Sequence, residues 1–380
     1  MPYYIKGNKI ELLKNGKDYF AAVIQSIKKA RKSIFIEAYI FSHDATGKKV
    51  LTALKEASQK GIKVYLLLDG FGSRDLSLKV INEIKASKIY FLFYHPKIAP
   101  YQMKRISLRR LHRKMILIDH EIAYIGGINI IDDMHVPNGK APRIDYAAQL
   151  KGPVVHLISR SMVKLWKRVS WSHFEKSFIP KDLYKQIVEY PNGTKLNFIE
   201  RDNFRHRRDI EKAYLHAIEN AQDEILIANA YFIPGKRFER ALIAAARRGV
   251  SVTLLLKGEI DYFLSNATRA FYGKFLKEGI TIFEYTKSFM HSKVAVIDDT
   301  WSTVGSSNID PFSLLLAREA NIFIWDKSFA TQLKKKIKED IRLGGTEILL
   351  KDWDKSHLVK RIKSRIAYFI IRISLGIANI

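Results

Sequence analysis

The sequence predicts an α/β protein built from two tandem copies of one domain, each a mixed, mostly parallel sheet flanked by helices. Three observations indicate this architecture. The chain has 380 residues, 47% of them apolar, which is enough to form two buried cores. Strand-like and helix-like segments alternate in both halves, as in βαβ units. A motif of histidine, lysine and aspartate also occurs twice, with the same internal spacing.

The first copy begins with a strand, a helix and a second strand. Residues 33–41 (SIFIEAYIF) and 62–69 (IKVYLLLD) are largely apolar runs typical of strands, and residues 47–60 between them carry apolar side chains at helical spacing. Gly61 ends this helix. The second copy repeats the order strand, helix, strand at residues 224–232, 235–248 and 250–256.

A turn-rich stretch, YPNGT at residues 190–194, marks the expected boundary between the two copies. We therefore predict a first domain at residues 1–192 and a second domain at residues 193–348, with one active site shared between them. Residues 349–380 are expected to form a basic amphipathic tail.

The composition restricts the function. The chain carries 65 Lys and Arg against 38 Asp and Glu, a net charge of +27, which favours a polyanionic partner such as nucleic acid or an anionic membrane. Cysteine is absent, which excludes disulfides, thiolate nucleophiles and iron–sulfur clusters. Charged residues interrupt the N-terminus where a secretory signal would need an apolar core, and no stretch reaches the ~20 apolar residues of a membrane span. We expect a soluble or peripheral protein.

The repeated motif is the most specific feature of the sequence. Residues 111–119 read LHRKMILID and are followed by IGGIN at 125–129, while residues 290–298 read MHSKVAVID and are followed by VGSSN at 304–308. The corresponding pairs all lie 179 positions apart: His112 and His291, Lys114 and Lys293, Asp119 and Asp298, Asn129 and Asn308. A match of this length at a constant offset indicates a duplicated domain.

The motif residues suit phosphoryl transfer on a diester. His112 and Lys114 project from the same face of a strand, and so do His291 and Lys293. One neutral imidazole can attack phosphorus to form a phosphohistidine, while the other acts as general acid and then base. The lysines and the two asparagines can stabilise charge on the non-bridging oxygens. This chemistry requires no metal, and we expect neither a metal nor another cofactor.

The two motifs resemble the signature of the phospholipase D superfamily, and within it the chain is similar to bacterial cardiolipin synthases. Further stretches carry the likeness: GNKIELLKNG at 7–16, LLDGFGS at 67–73, RDNFRHRRDIEKAYL at 201–215, ANAYFIPG at 228–235 and VGSSNIDPFSL at 304–314. The resemblance covers nearly the whole chain. It implies that one phosphatidylglycerol transfers its phosphatidyl group to another, giving cardiolipin and glycerol.

The resemblance also implies roles for individual residues. It assigns catalysis to His112, Lys114, Asp119, His291, Lys293 and Asp298. It suggests that Asp145 and Glu319 each hydrogen-bond a catalytic histidine, which would fix its tautomer. It favours His112 as nucleophile and His291 as general acid, a choice that the local residues leave open. The first copy departs from the pattern, because Gly126, Gly127 and Ile128 precede Asn129 where the second copy has Ser307 before Asn308.

Two other functions remain open from the sequence. The same histidine pair could hydrolyse a phosphodiester, as a phospholipase D or a nuclease does, since the choice of acceptor depends on pocket shape and water access. Alternatively, the protein could be an inactive, basic nucleic-acid-binding protein. The basic and aromatic residues 90–114 suit either a lipid interface or single-stranded nucleic acid.

The C-terminal residues favour lipid over nucleic acid. Within residues 358–380, apolar side chains form one helical stripe with basic residues beside it, which is typical of a helix at a membrane surface, although such a helix could instead dock on the protein's own core. We expect an anionic phospholipid, phosphatidylglycerol, and a membrane surface as partners, and no nucleic acid. The resemblance places the protein peripherally at the cytoplasmic face of a bacterial inner membrane.

Overall fold

The computed structural model describes residues 3–95, 109–137, 140–173, 188–202, 206–258, 262–355 and 366. The first half contains, in chain order, β1 (Ile5–Lys14), α1 (Asn15–Lys29), β2 (Ser33–Ala38), α2 (Ala45–Gln59), β3 (Lys63–Asp69), α3 (Leu78–Ala86), β4 (Tyr90–Tyr94), β5 (Met115–Ile118), β6 (Ile122–Gly126), β7 (Arg143–Ile144), β8 (Tyr146–Lys151) and α4 (Val154–Ser172).

The second half repeats this order with small additions. It contains β9 (Thr194–Arg201), α5 (Asp209–Asn220), β10 (Glu224–Asn229), α6 (Lys236–Arg247), β11 (Ser251–Lys257), α7 (Tyr262–Arg269), α8 (Tyr272–Lys277), β12 (Thr281–Tyr285), β13 (Phe289–Met290), β14 (Lys293–Ile297), β15 (Trp301–Gly305), α9 (Pro311–Leu315), β16 (Glu319–Trp325), α10 (Lys327–Gly344), β17 (Gly345–Glu347) and α11 (Leu350–Lys355).

Fifteen strands from the two halves join in one sheet, and β7 pairs in parallel with β13 in a separate two-stranded sheet. The strand order is β17-β12-β11-β10-β14-β15-β16-β9-β1-β8-β6-β5-β2-β3-β4, so each half has the same internal order and the halves meet where β1 pairs with β9. This arrangement confirms the predicted α/β class and the duplication. The exact boundary between residues 192 and 193 stays a prediction.

The expectation of a mostly parallel sheet is wrong. Among the described strands of the large sheet, only those joined by helices pair in parallel, namely β2 with β3 and β3 with β4, and β10 with β11 and β11 with β12. The strands that follow the motif pair antiparallel, β5 with β6 and β14 with β15. Only residues 119–121 and 298–300 link these strands, and so short a connection can join only antiparallel neighbours.

Three buried clusters hold the layers together. One cluster lies between the outer face of the first half and its helices, and a second cluster does the same in the second half. The third is shared, because α4 and α10 cover the other face of the sheet and bring residues such as Trp166 and Leu333 together with strand residues of both halves. A common core of this kind fixes the two halves relative to each other.

Only the start of the predicted tail lies within the described residues. Helix α11 contacts α8, where the rings of Trp353 and Tyr272 lie 5.3 Å apart. The expected amphipathic stretch at 358–380 lies outside the described residues apart from Ile366. Among the helices that the structure describes, none combines the length and the apolar character that crossing a bilayer requires.

Candidate active site

Both motif histidines line one cavity of about 700 Å³. His112 lies three residues before β5, and His291 lies two residues before β14, so each imidazole stands at the end of a buried strand. Asn129 and Asn308, which follow the strands β6 and β15, line the same cavity. The structure thus brings together the histidines and asparagines of the two copies, as the repeat predicts.

Each histidine is bonded to a carboxylate from the opposite half. Nδ1 of His112 lies 2.8 Å from Oε1 of Glu319, and Nδ1 of His291 lies 2.6 Å from Oδ2 of Asp145. Both carboxylates are buried. A carboxylate on Nδ1 fixes the tautomer and leaves Nε2 for chemistry.

The backbone holds the same crossed arrangement. The His112 N–H donates to the carbonyl of Arg318, the residue before Glu319, at 3.0 Å. The His291 N–H donates in the same way to the carbonyl of Ile144, the residue before Asp145, at 2.8 Å. Because backbone and side chain bonds act together, each imidazole is positioned by the half that does not contain it.

The two lysines are buried beside the histidines. Nζ of Lys114 donates to the carbonyl of His112 at 2.8 Å, and Nζ of Lys293 donates to the carbonyl of His291. Burial lowers the pKa of Lys114 to about 7 and that of Lys293 to about 8. A bound anion would favour the charged form of both.

The histidines differ in their electrostatic surroundings. Burial lowers the pKa of His112, and the charge of Glu319 opposes this. The pKa of His291 is lowered more than that of His112, because burial and the positive charges of Lys293 and Arg143 act in the same direction. Both imidazoles are therefore held neutral in the ligand-free cavity, and an anionic ligand that offsets these cations would make His291 easier to protonate.

The departure of the first motif from the second has a steric cause. A Cβ atom at Gly127 would lie 2.2 Å from Oδ1 of Asp145, so only glycine fits there. The equivalent residue in the second copy is Ser306, whose hydroxyl donates to Oε2 of Glu319 at 2.5 Å. The first copy therefore has a glycine beside its aspartate, Asp145, and the second copy has a serine that hydrogen-bonds its glutamate, Glu319.

The asparagines are partly engaged by the protein. Oδ1 of Asn129 accepts from the Ile40 N–H at 3.2 Å, and Nδ2 of Asn308 lies 3.4 Å from the Ser313 hydroxyl. Oδ1 of Asn308 is buried without a partner among the described residues. Both side chains stay available for a hydrogen bond to a ligand in the cavity.

The structure does not bring Asp119 and Asp298 to the cavity, so the catalytic role that the resemblance implied for them needs correction. Each lies at the far end of its motif strand and accepts three backbone N–H bonds. The donors to Asp119 are Arg31, Lys32 and Ser33, and the donors to Asp298 are Gln222, Asp223 and Glu224, all at 2.7–3.0 Å. These aspartates fix the turn that precedes β2 or β10, which is a structural role.

Several residues of the site were not predicted. Asp69 is fully buried and accepts from the Leu111 N–H at 2.8 Å, which fixes the backbone before His112. Arg143 and the aromatic residues Tyr39 and Tyr231 line the cavity. Alternation along the extended segment RID places Arg143 on the same side as Asp145, so the sequence contained a signal for this residue.

Among the residues that the structure describes, no group of three His, Asp or Glu side chains is arranged to hold a metal ion. The carboxylates nearest the histidines bond their Nδ1 atoms, and ammonium groups lie next to them.

Comparison with known proteins defines the class first. The family description "Cardiolipin synthase, PLD-like domain" matches residues 23–142 and 214–341, one match in each half. The fold is similar to that of phosphatidylserine synthase from Haemophilus influenzae, with a TM-score of 0.70, 14% identity and coverage of 96% of this chain and 93% of that chain. A polyphosphate kinase from Porphyromonas gingivalis gives a TM-score of 0.59 at 12% identity, covering 97% and 54% of the chains. The fold is that of tandem phospholipase-D-like domains.

Curated relatives narrow the class to a family. Cardiolipin synthase B of Shigella flexneri is 38% identical over 97% of this chain and 88% of the relative. A cardiolipin synthase of Clostridium perfringens is 29% identical over 94% of this chain and 75% of the relative. The chain belongs to the cardiolipin synthase family.

Proposed function

We propose that the protein is a phosphatidyltransferase that makes cardiolipin and glycerol from two molecules of phosphatidylglycerol. The observation that carries the proposal is the pair of imidazoles in one cavity, each bonded through Nδ1 to a carboxylate of the opposite half. Two oriented imidazoles suit a double displacement at phosphorus, and the family membership specifies the phosphatidyl group.

In the first step, Nε2 of His112 attacks the phosphorus of the donor lipid. The bond from phosphorus to the glycerol headgroup oxygen breaks, and protonated His291 gives its proton to that oxygen, so glycerol leaves. Glu319 stabilises the positive charge that develops on His112. Lys114 and Lys293 place positive charge beside the non-bridging oxygens.

In the second step, the terminal hydroxyl of another phosphatidylglycerol attacks the phosphohistidine. Neutral His291 takes the hydroxyl proton, the bond between phosphorus and Nε2 of His112 breaks, and cardiolipin forms. His291 is again protonated and His112 again neutral, so the enzyme is ready for the next donor. Asp145 orients His291 in both steps.

The cavity suits a lipid rather than a bare phosphodiester. Apolar side chains contribute much of its wall, including Ile131, Val136, Ile233 and Phe289. Phe71 and Phe312 also line it and are 43% and 38% exposed, which places apolar surface where acyl chains could approach from a bilayer. A wall of this kind also reduces the access of water, which would compete with the acceptor hydroxyl.

Purified protein and labelled phosphatidylglycerol in mixed micelles test the proposal. We expect labelled cardiolipin and one glycerol for each cardiolipin formed. Phosphatidate without cardiolipin would show that the protein is a hydrolase, and turnover of DNA without turnover of lipid would show that it is a nuclease. A variant with His112→Ala is the matched control for contaminating activity.

We further propose that the protein works peripherally on an anionic membrane, at the cytoplasmic face of a bacterial inner membrane. The net charge of +27 and the basic, apolar pattern of residues 358–380 support binding to an anionic membrane. Sedimentation with phosphatidylglycerol vesicles should retain the protein, and neutral phosphatidylcholine vesicles should retain much less. A chain that ends at residue 357 should bind phosphatidylglycerol vesicles less than the full chain does, so the difference in binding between the two kinds of vesicle should become smaller.

A further inference from the structure

We propose that Arg143, supported by Lys257, forms a second phosphate subsite that holds the phosphodiester of the acceptor lipid while its hydroxyl reacts. This inference rests on the proposed function and specifies how the enzyme chooses its acceptor. It concerns residues to which the two-histidine mechanism gives no role.

Arg143 is a buried cation that forms no salt bridge in the part of the chain that the structure describes, although Asp145 and Asp133 lie near enough to act on its charge. Its side chain lines the cavity, although the residue is only 5% exposed. One terminal nitrogen, Nη2, donates to the carbonyl of His135 at 2.8 Å, whereas Nε is buried without a hydrogen-bond partner. No described carboxylate lies within ion-pair distance of its guanidinium. A buried charge in this condition is costly unless an anion binds to it.

A second cation reinforces the same side of the cavity. The ring of Phe289 lies 5.0 Å from the Arg143 guanidinium carbon and 3.9 Å from Nζ of Lys257. Nζ of Lys257 also lies 3.2 Å from the hydroxyl of Tyr231, which lines the cavity. Two cations around one aromatic ring create a region of positive potential beside His291, whose ring centroid is 6.3 Å from that of Phe289.

The positions equivalent to Arg143 and Lys257 carry no cation on the His112 side. The residue equivalent to Arg143, two positions before Glu319, is Ala317, which also lines the cavity. The residue equivalent to Lys257, at the end of β3, is Asp69. The two buried cations at these equivalent positions therefore belong to the His291 side, whereas Arg110, which lines the cavity on the His112 side, is half-buried and lies over Phe71. This difference matches a reaction in which the donor and the acceptor occupy different places.

The side of the cavity agrees with the chemistry. In the proposed reaction His291 takes the proton from the acceptor hydroxyl, so the acceptor must approach from the His291 side. A single glycerol unit separates this hydroxyl from the phosphate of an acceptor phosphatidylglycerol. The phosphate of the acceptor would thus lie next to the cations on the His291 side of the cavity. Arginine suits the contact, because its guanidinium can donate two hydrogen bonds to one phosphate.

The test measures how one enzyme intermediate divides between acceptors. Phosphatidylglycerol micelles in water with ethanol allow three products from the same phosphohistidine: cardiolipin from an anionic acceptor, and phosphatidylethanol and phosphatidate from neutral ones. We expect Arg143→Gln to lower the ratio of cardiolipin to the two neutral-acceptor products by about tenfold to a hundredfold, as expected for a lost charged hydrogen bond. Arg143→Lys should give an intermediate ratio, because lysine keeps the positive charge but lacks the planar guanidinium that donates two hydrogen bonds to one phosphate.

Arg160→Gln serves as the matched control, since Arg160 is exposed on α4 and does not line this cavity. Its ratio should equal that of the wild type. An unchanged ratio in Arg143→Gln, or a loss of all three products in equal proportion, would overturn the subsite while leaving the proposed function intact. If Arg143→Gln fails to fold, the ratio of Arg143→Lys decides by the same criterion. A wild-type protein that makes only the neutral-acceptor products would overturn the proposed function and the acceptor subsite with it.

Discussion

His112 of the first half is hydrogen-bonded through Nδ1 to Glu319 of the second half, at 2.8 Å. The reciprocal pair, His291 with Asp145, crosses between the halves in the opposite direction at 2.6 Å. Each half therefore supplies one imidazole and the carboxylate that orients the imidazole of the other half. The candidate active site lies where the two copies meet, and the pairing of β1 with β9 joins their sheets.

Glu319→Gln should lower kcat by between about a hundredfold and ten-thousandfold, because an amide cannot stabilise the imidazolium and can select the wrong tautomer of His112. Asp145→Asn should have a comparable effect through His291. Steady-state kinetics on phosphatidylglycerol micelles measure both. Glu347→Gln, at an exposed position, is the charge-matched control and should retain wild-type turnover. Full activity in Glu319→Gln would show that the carboxylate has no part in the reaction.

The two histidines should behave as one unit. His112→Ala should abolish the covalent intermediate, and His291→Ala should abolish proton transfer, so each variant should lose at least about a thousandfold in turnover. The double variant should be hardly worse than either single one, because the remaining histidine cannot complete the reaction alone. A double variant whose loss is the product of the two single losses would indicate independent roles and argue against a double displacement.

Much of the site was predictable from sequence because the duplication repeats its key residues. The constant offset pointed to both histidines and both asparagines, which line one cavity, and to both lysines, which are buried beside the histidines. Sequence periodicity could not show that Glu319 would bond His112 rather than His291, since that depends on how two separately encoded halves pack. The catalytic role of Asp119 and Asp298 was implied by the family resemblance, and the structure places both at the far ends of the motif strands, where they accept backbone N–H bonds.

The same limit applies to the sheet. Helix-linked strands such as β2 and β3 were recognised and correctly suggested parallel pairing. Antiparallel pairs such as β5 with β6 and β2 with β5 depend on short connections and on the packing of strands distant in sequence, which apolar periodicity does not specify. The sequence does not single out Arg143 for a related reason: its burial in the cavity wall without a salt bridge depends on the tertiary structure.

Asp119→Ala should destabilise the fold while leaving the chemistry of the folded protein nearly unchanged. The substitution removes the acceptor for three backbone N–H groups and places alanine at a φ of +53°, so we expect a loss of about 2–4 kcal/mol in the free energy of unfolding. Asp298→Ala, at a φ of +50°, should behave alike. Urea denaturation measures stability, and kcat per folded molecule measures chemistry.

Asn is the conservative control at these two positions, because it tolerates a left-handed backbone and keeps one carbonyl oxygen as acceptor. Asp119→Asn should therefore lose less stability than Asp119→Ala. If Asp119→Ala were instead fully folded and inactive, the aspartate would have to act on the reaction, and the structural role assigned to it would be wrong.

The buried lysines predict a pH dependence in which activity and stability change in opposite directions. Burial lowers the pKa of Lys114 to about 7 and that of Lys293 to about 8, so kcat/KM should fall as pH rises through this range and the ligand-free cavity loses positive charge. The unfolded chain, with lysine pKa values near 10.5, binds more protons between pH 7 and pH 10, so stability should rise over the same interval. Parallel profiles of kcat/KM and of the urea midpoint between pH 6 and pH 10 separate the two effects. If kcat/KM keeps rising above pH 9, the charged form of the lysines is not required. If kcat/KM and stability fall together as pH rises, unfolding and not lysine deprotonation causes the loss of activity.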